Sequence, residues 1–413
     1  MAKNNIHINF HPSRLMPNFL SLASSPIRTI LESSLSGYAL TQQEARTLFE
    51  ARGHDVLVIA QVADQLRQQQ VGQRVTFVQT RNINFTNVCY TGCTFCAFGV
   101  PRQHPDAFTM EIDAVVQQVQ EARDMGCTEV CMQGGLNPLL GGDYYVRLVR
   151  AIHQAAPEIH IHAFSPFEIQ YASQILKRPA RDVLQELKDA GLGSIPGTAA
   201  ESLSPQIRQI LTKNKLSAAA WVEIIETAHQ VGLPSTATIM YGHVDGPEHW
   251  AEHLAIIRDI QRRTGGFTEF VPLGFIHQNT RLYASGRARP GPTGREDVLM
   301  HAVARIMLGR EIPNIQVSWV KLGPAMAQML LGAGANDFGG TLHNESISRS
   351  AGAETGEYMP PAEFERMILD LGRVPAQRDT LYHILHEGPR FYTPQHPQTL
   401  SAGPPHVSAP ARG

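Results

Sequence analysis

The 413-residue sequence has almost no net charge, no long apolar run and only five cysteines, and each shortage removes a class of function. Its 35 Lys and Arg residues against 37 Asp and Glu give a formal charge of −2, with no basic block. Such a balance lacks the electrostatic footprint of a nucleic-acid or anionic-membrane partner and leaves small-molecule chemistry. Nowhere do the roughly 18 consecutive apolar residues of a membrane span occur. The start, Met1-Ala2-Lys3-Asn4-Asn5-Ile6-His7, lacks the apolar stretch of a secretory signal, so a soluble cytoplasmic protein is expected. An odd number of cysteines, three of them crowded together, argues against a disulfide framework and for metal in a reducing compartment.

What is present is 43% hydrophobic residues, enough for a large core. Residues 1–72 read as a helical extension ended by Gly72, with Leu48, Val58, Ile59, Val62 and Leu66 among its apolar positions. Residues 388–413, with Pro389, Pro394, Pro397, Pro404, Pro405 and Pro410, read as a Pro-rich disordered tail. Between them, in residues 73–387, β-rich runs alternate with helical patterns. The runs are 81–85, 128–132, 160–164, 194–196, 236–241, 268–272, 315–319 and 335–338.

The helical patterns have faces such as Val115, Val119 and Ala122, or Trp221, Ile224, Ile225 and Ala228. Ser217 is placed to cap the second of these and Gly232 to end it; Asp245 and Pro247 are placed to open the next helix. Repeated βα units over about 250 residues predict an α/β fold, a (β/α)8 TIM-type barrel. Polar residues or glycines follow nearly every strand: the cysteines, Gln133-Gly134-Gly135, Ser165, Gly197-Thr198, Gly242-His243, His277, Lys321 and Asn336-Asp337. In a barrel those loops converge on one active-site face.

Cys89, Cys93 and Cys96 form a C-x3-C-x2-C triplet directly after the first strand. Thiolates suit iron–sulfur clusters or zinc, and three ligands leave one iron of a four-iron cluster open to a chelating group. Cys127 and Cys131 read as small core residues. A Cys3His zinc site completed by His104 is the alternative to a cluster.

The triplet, with Phe95 before its last cysteine, resembles the signature of the radical S-adenosylmethionine (SAM) superfamily. Several further stretches resemble the branch that holds FO synthase and the futalosine enzymes of menaquinone biosynthesis: residues 81–87, Gln133 to Pro138, His162 to Pro166, Pro196 to Glu201 and Met240 to Val244. In the carboxyl third, residues 270–273, 286–292, 318–323 and 339–349 are similar to FO synthase subunit 2, a family of coenzyme F-420 biosynthesis. Two positions depart from the pattern. Gly274 stands where the family often has proline, and Leu136 replaces the glutamate of the Gly-Gly-Glu motif that many radical SAM enzymes use on the SAM ammonium.

The resemblance implies a [4Fe-4S] cluster on Cys89, Cys93 and Cys96 with SAM on the fourth iron. It implies transfer of the 4-hydroxybenzyl group of L-tyrosine to 5-amino-6-(D-ribitylamino)uracil, with SAM cleaved to methionine and 5'-deoxyadenosine. The alternative within the branch is cyclic dehypoxanthinyl futalosine synthase chemistry. A low-potential electron donor of ferredoxin or flavodoxin type and FO synthase subunit 1 are the implied partners.

Phe95, Gln133, Gly134, Gly135, Ser165 and Glu201 are the candidate cofactor contacts, although the glycines could simply make a turn, Ser165 cap a helix and Glu201 sit in solvent. His243 is a candidate proton acceptor and Lys321 a candidate cation for the tyrosine carboxylate. Thr198, Asn336, Asp337 and Arg349 are candidate substrate contacts, with turn capping or a solvated salt bridge as the plainer roles.

Overall fold

The computed structural model describes residues 19–393. Its centre is a ring of parallel strand pairings. Strand β1 (Arg74–Val78) and β2 (Thr80–Ile83) are one extended run interrupted at Gln79. Strand β2 pairs with β3 (Glu129–Met132), and β3 with β4 (His160–Ala163). Single bridges join His162 to Ser194 and Ile195 to Ser235, the first residue of β5 (Ser235–Tyr241). Strand β5 pairs with β6 (Phe267–Gly274); single bridges join Phe270 to Ile315 and Gln316 to Asp337; and β7 (Asp337–Gly340) pairs with β1. The pairings come back to the run from which they start.

Side chains alternate across each strand, so Thr80 and Asn82, Glu129 and Cys131, and Glu269, Val271 and Leu273 line the central cavity together. Helices between the strands bury the outward face. Helix Ala218–Gln230 buries Trp221, Ile224, Ile225 and Ala228, starts at Ser217, whose Oγ accepts from the Ala220 N–H at 3.1 Å, and is followed by Gly232 at φ +79°.

Several strand expectations change, and the run expected over 194–196 is two bridged residues, Ser194 and Ile195. The run expected over 315–319 is two bridged residues followed by a short helix, Trp319–Leu322. The run expected over 335–338 moves on to Asp337–Gly340. The missing side chain of Gly340 lets β7 approach β2: a Cβ there would sit 2.2 Å from Thr80 Cγ2. A further strand, β8 (Val374–Arg378), pairs in parallel with β1 and antiparallel with β9 (Ile384–Glu387). Its sequence, Val-Pro-Ala-Gln-Arg, has no apolar alternation, so only the distant partner strand makes it one.

The expected amino-terminal helices are Ser25–Leu35, Gln42–Phe49 and His54–Val71, the last ending at Gly72 with φ +69°. They share the core of the ring, with the Phe49 ring edge-on to Trp250 at 5.3 Å. The first part of the helical extension and most of the Pro-rich tail lie outside the described residues. Chain order nevertheless continues past the expected boundary at 387. The N–H groups of Arg390, Phe391 and Tyr392 donate to the buried Glu365 carboxylate at 2.9, 2.7 and 2.7 Å.

Asp337, expected at the substrate, is instead part of this frame. Arg378 Nε and Nη2 donate to its two oxygens at 2.6 and 3.0 Å, and Thr76 Oγ1 and the Gly339 N–H complete its shell. A buried guanidinium without its carboxylate is strongly unfavourable, so Asp337→Asn should lower unfolding stability by about 3–5 kcal/mol in a urea titration.

Candidate active site

The loop after β2 brings the three cysteines to one cavity of about 220 Å³, at the carboxyl end of the strands. Cys93 is buried, and Cys89 and Cys96 are half-buried. Backbone N–H groups point at two of the sulfurs, Leu136 at Cys89 Sγ and Gly99 at Cys96 Sγ, each at 3.4 Å. Thr91 Oγ1 lies 3.1 Å from Cys89 Sγ and 3.4 Å from Cys93 Sγ. Three thiols opening on one space, with N–H donors placed to stabilise thiolates, fit a cluster bound by three cysteines. His104 is not among the residues lining that cavity, and its Nδ1 accepts the Asp106 N–H at 3.2 Å. That leaves the zinc alternative without its fourth ligand.

The glycines after β3 are there because nothing larger fits. A Cβ on Gly135 would lie 2.3 Å from the Val88 carbonyl oxygen and 2.9 Å from Cys89 Cβ; one on Gly134 would strike the Phe85 ring at 2.7 Å. Gly135→Ala should therefore displace the Cys89 backbone. Expected results are less iron and sulfide per chain after reconstitution and a stability loss of about 1–3 kcal/mol.

Around the same cavity lie Phe95, Gln133, Ser165 and Glu201, expected as cofactor contacts, and Thr198, expected as a substrate contact. Ser165 is also the cap of helix Pro166–Leu176. Its Oγ donates to Glu168 at 2.7 Å and accepts the Glu168 N–H, so both of the roles considered for it coincide in one place. Glu168, absent from the expectation, accepts from the N–H of Gly134 at 3.0 Å and of Ser165 at 2.7 Å. Burial lifts its carboxyl to about 7, against the pull of these donors. It ties the glycine loop to the helix.

Glu201 is held in a left-handed conformation, φ +41°, and is no surface carboxylate. Its Oε1 accepts from Lys215 Nζ at 2.6 Å, and its Oε2 has no partner among the described residues. Lys215 was not singled out in the sequence. Its ammonium lies 5.2 Å from the Phe95 ring centre and 5.9 Å from that of Phe167. Burial works against its charge, but Glu201 and Cys93 together more than offset this and its pKa stands raised. A buried lysine with a half-occupied carboxylate, facing the cysteines, can hold a zwitterion.

Two more cavities continue from this one. The next, of about 130 Å³, is walled by Phe95, Met240, Leu273, Phe275 and Ile276, with Lys321 and Glu201 as its charged groups. The third, of about 230 Å³, runs down the inside of the ring to Glu129, His162, Glu269, Gln316 and Arg378. Thr198 and Ile347 line all three. Cys131, expected as core, lines the third cavity.

Lys321 borders the second and third cavities and donates to Ser348 Oγ at 2.7 Å. Burial lowers its pKa, with Glu345 opposing.

The other candidates lie elsewhere. His243 is buried below the loop after β5. One ring nitrogen bonds the Met240 carbonyl at 2.9 Å and the other accepts the Val244 N–H at 2.7 Å, leaving neither for a substrate. Burial lowers its pKa, so it is a neutral structural histidine. Asp245 is not the helix cap expected. It accepts the N–H of Gly242 at 3.0 Å, that of His243 at 2.9 Å and Trp250 Nε1 at 2.6 Å. Asn336 Oδ1 accepts from Arg305 Nη2 at 2.6 Å and the Ile315 N–H at 2.9 Å, fixing the start of β7 away from the cavities. Arg349 is exposed and paired with Glu357.

Two known families match in tandem. Residues 83–257 match the radical SAM superfamily and residues 264–389 the CofH/MqnC C-terminal region. A Methanopyrus kandleri protein named 5-amino-6-(D-ribitylamino)uracil–L-tyrosine 4-hydroxyphenyl transferase is 52% identical over 328 residues, 79% of this chain and 89% of that one. One of the same name from Methanothermobacter thermautotrophicus is 47% identical over 348 residues, 84% of this chain and 95% of that one. A Mycobacterium leprae protein named FO synthase is 52% identical over 342 residues, 83% of this chain but 40% of its own length. Among solved structures, methylornithine synthase aligns with a TM-score of 0.67 at 17% identity, over 84% of this chain and 97% of that one. The FeFe-hydrogenase maturase HydG from Carboxydothermus hydrogenoformans aligns with a TM-score of 0.67 at 15% identity, over 86% and 80%. At such identity these two speak for the fold alone.

Proposed function

Because the chain belongs to the family of 5-amino-6-(D-ribitylamino)uracil–L-tyrosine 4-hydroxyphenyl transferases, within the radical SAM superfamily, we propose that it performs that transfer in FO biosynthesis. Beyond the relatives, the observation that supports it is the run of three adjoining cavities, one for each reactant, joined at Thr198 and Ile347. When bound, the [4Fe-4S] cluster and SAM supply the 5'-deoxyadenosyl radical that takes a hydrogen atom from tyrosine.

The chain's own residues position and shield. Cys89, Cys93 and Cys96 hold the cluster. Lys215 and Glu201 line the cysteine cavity with Phe95 and would hold polar groups of SAM, Glu201 Oε2 having no partner among the described residues. Lys321 pairs with the tyrosine carboxylate at the head of the apolar second cavity, whose walls seat the phenol ring and keep water from the reacting carbon. Thr198, lining all three spaces, separates the reactants without blocking them.

Thiol-ligated iron needs a reducing compartment, so we place the protein in the cytoplasm, with a ferredoxin- or flavodoxin-type donor. No helix among the described residues is long and apolar enough to cross a membrane. The extra length of the mycobacterial FO synthase supports FO synthase subunit 1 as the functional partner, acting on the product. The test is anaerobic reconstitution with SAM and a reductant, offering tyrosine with the ribitylaminouracil or, separately, dehypoxanthine futalosine. A product joined to the hydroxybenzyl group is expected by mass spectrometry; product from the futalosine substrate alone would overturn the reading.

A further inference from the structure

The floor of the third cavity is polar out of proportion to its depth. Parallel strands that face a buried interior ordinarily carry branched apolar side chains in layers. Here the residues lining that end of the cavity are Glu129, the first residue of β3, His162 on β4 and Glu269 on β6, with Gln316 and, from β8, Arg378. Several of these groups hold one another. Glu269 Oε2 accepts from Tyr382 at 2.5 Å and from Gln316 Nε2 at 3.0 Å, and His162 Nδ1 bonds Ser194 Oγ at 2.7 Å. Burial takes His162 down to about 4, so its ring is neutral near pH 7 and offers one donor or acceptor to the cavity.

Thr80 Oγ1, Asn82 Oδ1 and Thr198 Oγ1, also in the wall, are buried without a hydrogen-bond partner among the described residues. Thr80 is in register with Glu129 and Asn82 with Cys131, and Thr198 and Lys321 line the same cavity. Unpaired buried polar atoms are costly, about 1–3 kcal/mol each, and a column of them beside a cavity calls for a ligand rich in hydroxyls.

The reactants differ in the same sense. Tyrosine brings an aromatic ring and one zwitterionic end, which the second cavity meets with apolar walls and Lys321. The acceptor brings a flat uracil and a polyol chain, each hydroxyl able to donate and accept. The second cavity adjoins the cysteines, whereas the third reaches away from them.

We propose that the third cavity binds the ribityl-bearing acceptor with its polyol chain pointing down to Glu129, His162 and Arg378, and its uracil ring uppermost, facing the tyrosine seat. This rests on the reading given under Proposed function and extends it to which end of which substrate goes where. The reacting uracil carbon then lies between the two seats, near Thr198, and the polyol fixes it there. Glu129, His162 and Thr80 are positioning and specificity residues, remote from the chemistry.

Binding through buried polar partners also predicts sharp selection, because an analogue lacking the hydroxyls leaves those partners unpaired. The test compares the ribityl acceptor with 5-amino-6-(methylamino)uracil, in the reconstituted holoenzyme and in Glu129→Gln and Thr80→Val. The second variant is nearly isosteric and guards against misfolding of the first. The wild type should prefer the ribityl acceptor by about 100-fold or more in kcat/KM. Each variant should raise the KM for the ribityl acceptor, by about tenfold for Glu129→Gln, leave the KM for tyrosine in place and leave the methyl analogue as it was. Variants that weaken both acceptors equally, that raise the tyrosine KM instead, or that change nothing would overturn the inference. A wild type that makes no product from tyrosine and the ribityl acceptor would sink the proposed function itself, a separate outcome.

Discussion

Cys93→Ala should give a folded, colourless protein that binds no complete cluster and forms no 5'-deoxyadenosine. Of the three cysteines it is the buried one, its Sγ 3.4 Å from both Thr91 Oγ1 and Thr212 Oγ1, so no other side chain in the loop can take its place. Losing a single sulfur from the core costs little stability, about 1 kcal/mol. The loss of iron is therefore separable from unfolding. Iron and sulfide analysis with circular dichroism reads both. Cys131→Ala is the control: Cys131 lines the third cavity, away from the triplet's loop, and its removal should leave iron per chain unchanged. Full cluster content in Cys93→Ala, or loss of it in Cys131→Ala, would mean that the ligand set is wrong.

That contrast also marks where the sequence was legible. Cys89, Cys93 and Cys96 could be read directly because ligand spacing is local, and β3, β4, β5 and β6 because each is a short β-rich run set between helical patterns. Strand β8 could not be, since Val374–Arg378 becomes a strand only through β1, far away along the chain. With β8 hidden, so was Arg378, and with Arg378 the true work of Asp337.

The same limit governs the site. "Strand-end polar residue" was a sound rule for Gln133, Thr198 and Lys321, which line the cavities, and failed for His243 and Asn336, which satisfy backbone around the loops. The rule locates a residue along the strand but not which way its side chain turns. Glu168 could have been found from Ser165-Pro166-Phe167-Glu168, a serine followed three positions on by glutamate, the mark of a capping box. Glu129 and Glu269 could have been found too, as charges at inward positions of otherwise apolar strands. Lys215 carries no such mark; it reaches Glu201 through a loop.

Lys321→Ala should raise the KM for tyrosine by about 10- to 100-fold, the equivalent of the ~1.5–3 kcal/mol of a charge-assisted hydrogen bond. Formation of 5'-deoxyadenosine without tyrosine should survive, because Lys321 borders the second and third cavities and not the one around the cysteines. Lys321→Met, close in volume, should behave alike and so exclude a packing effect. The pH dependence has a fixed sign. Burial lowers the lysine pKa, and only the protonated form attracts a carboxylate. In the free enzyme the cation is therefore lost at lower pH than from a lysine in water, and tyrosine affinity should fall as pH rises through that lowered value. A bound carboxylate restores the proton, so the loss belongs to KM and to kcat/KM rather than to kcat. In Lys321→Met that alkaline rise in KM should be absent; a rise that persists would assign the tyrosine carboxylate to another cation.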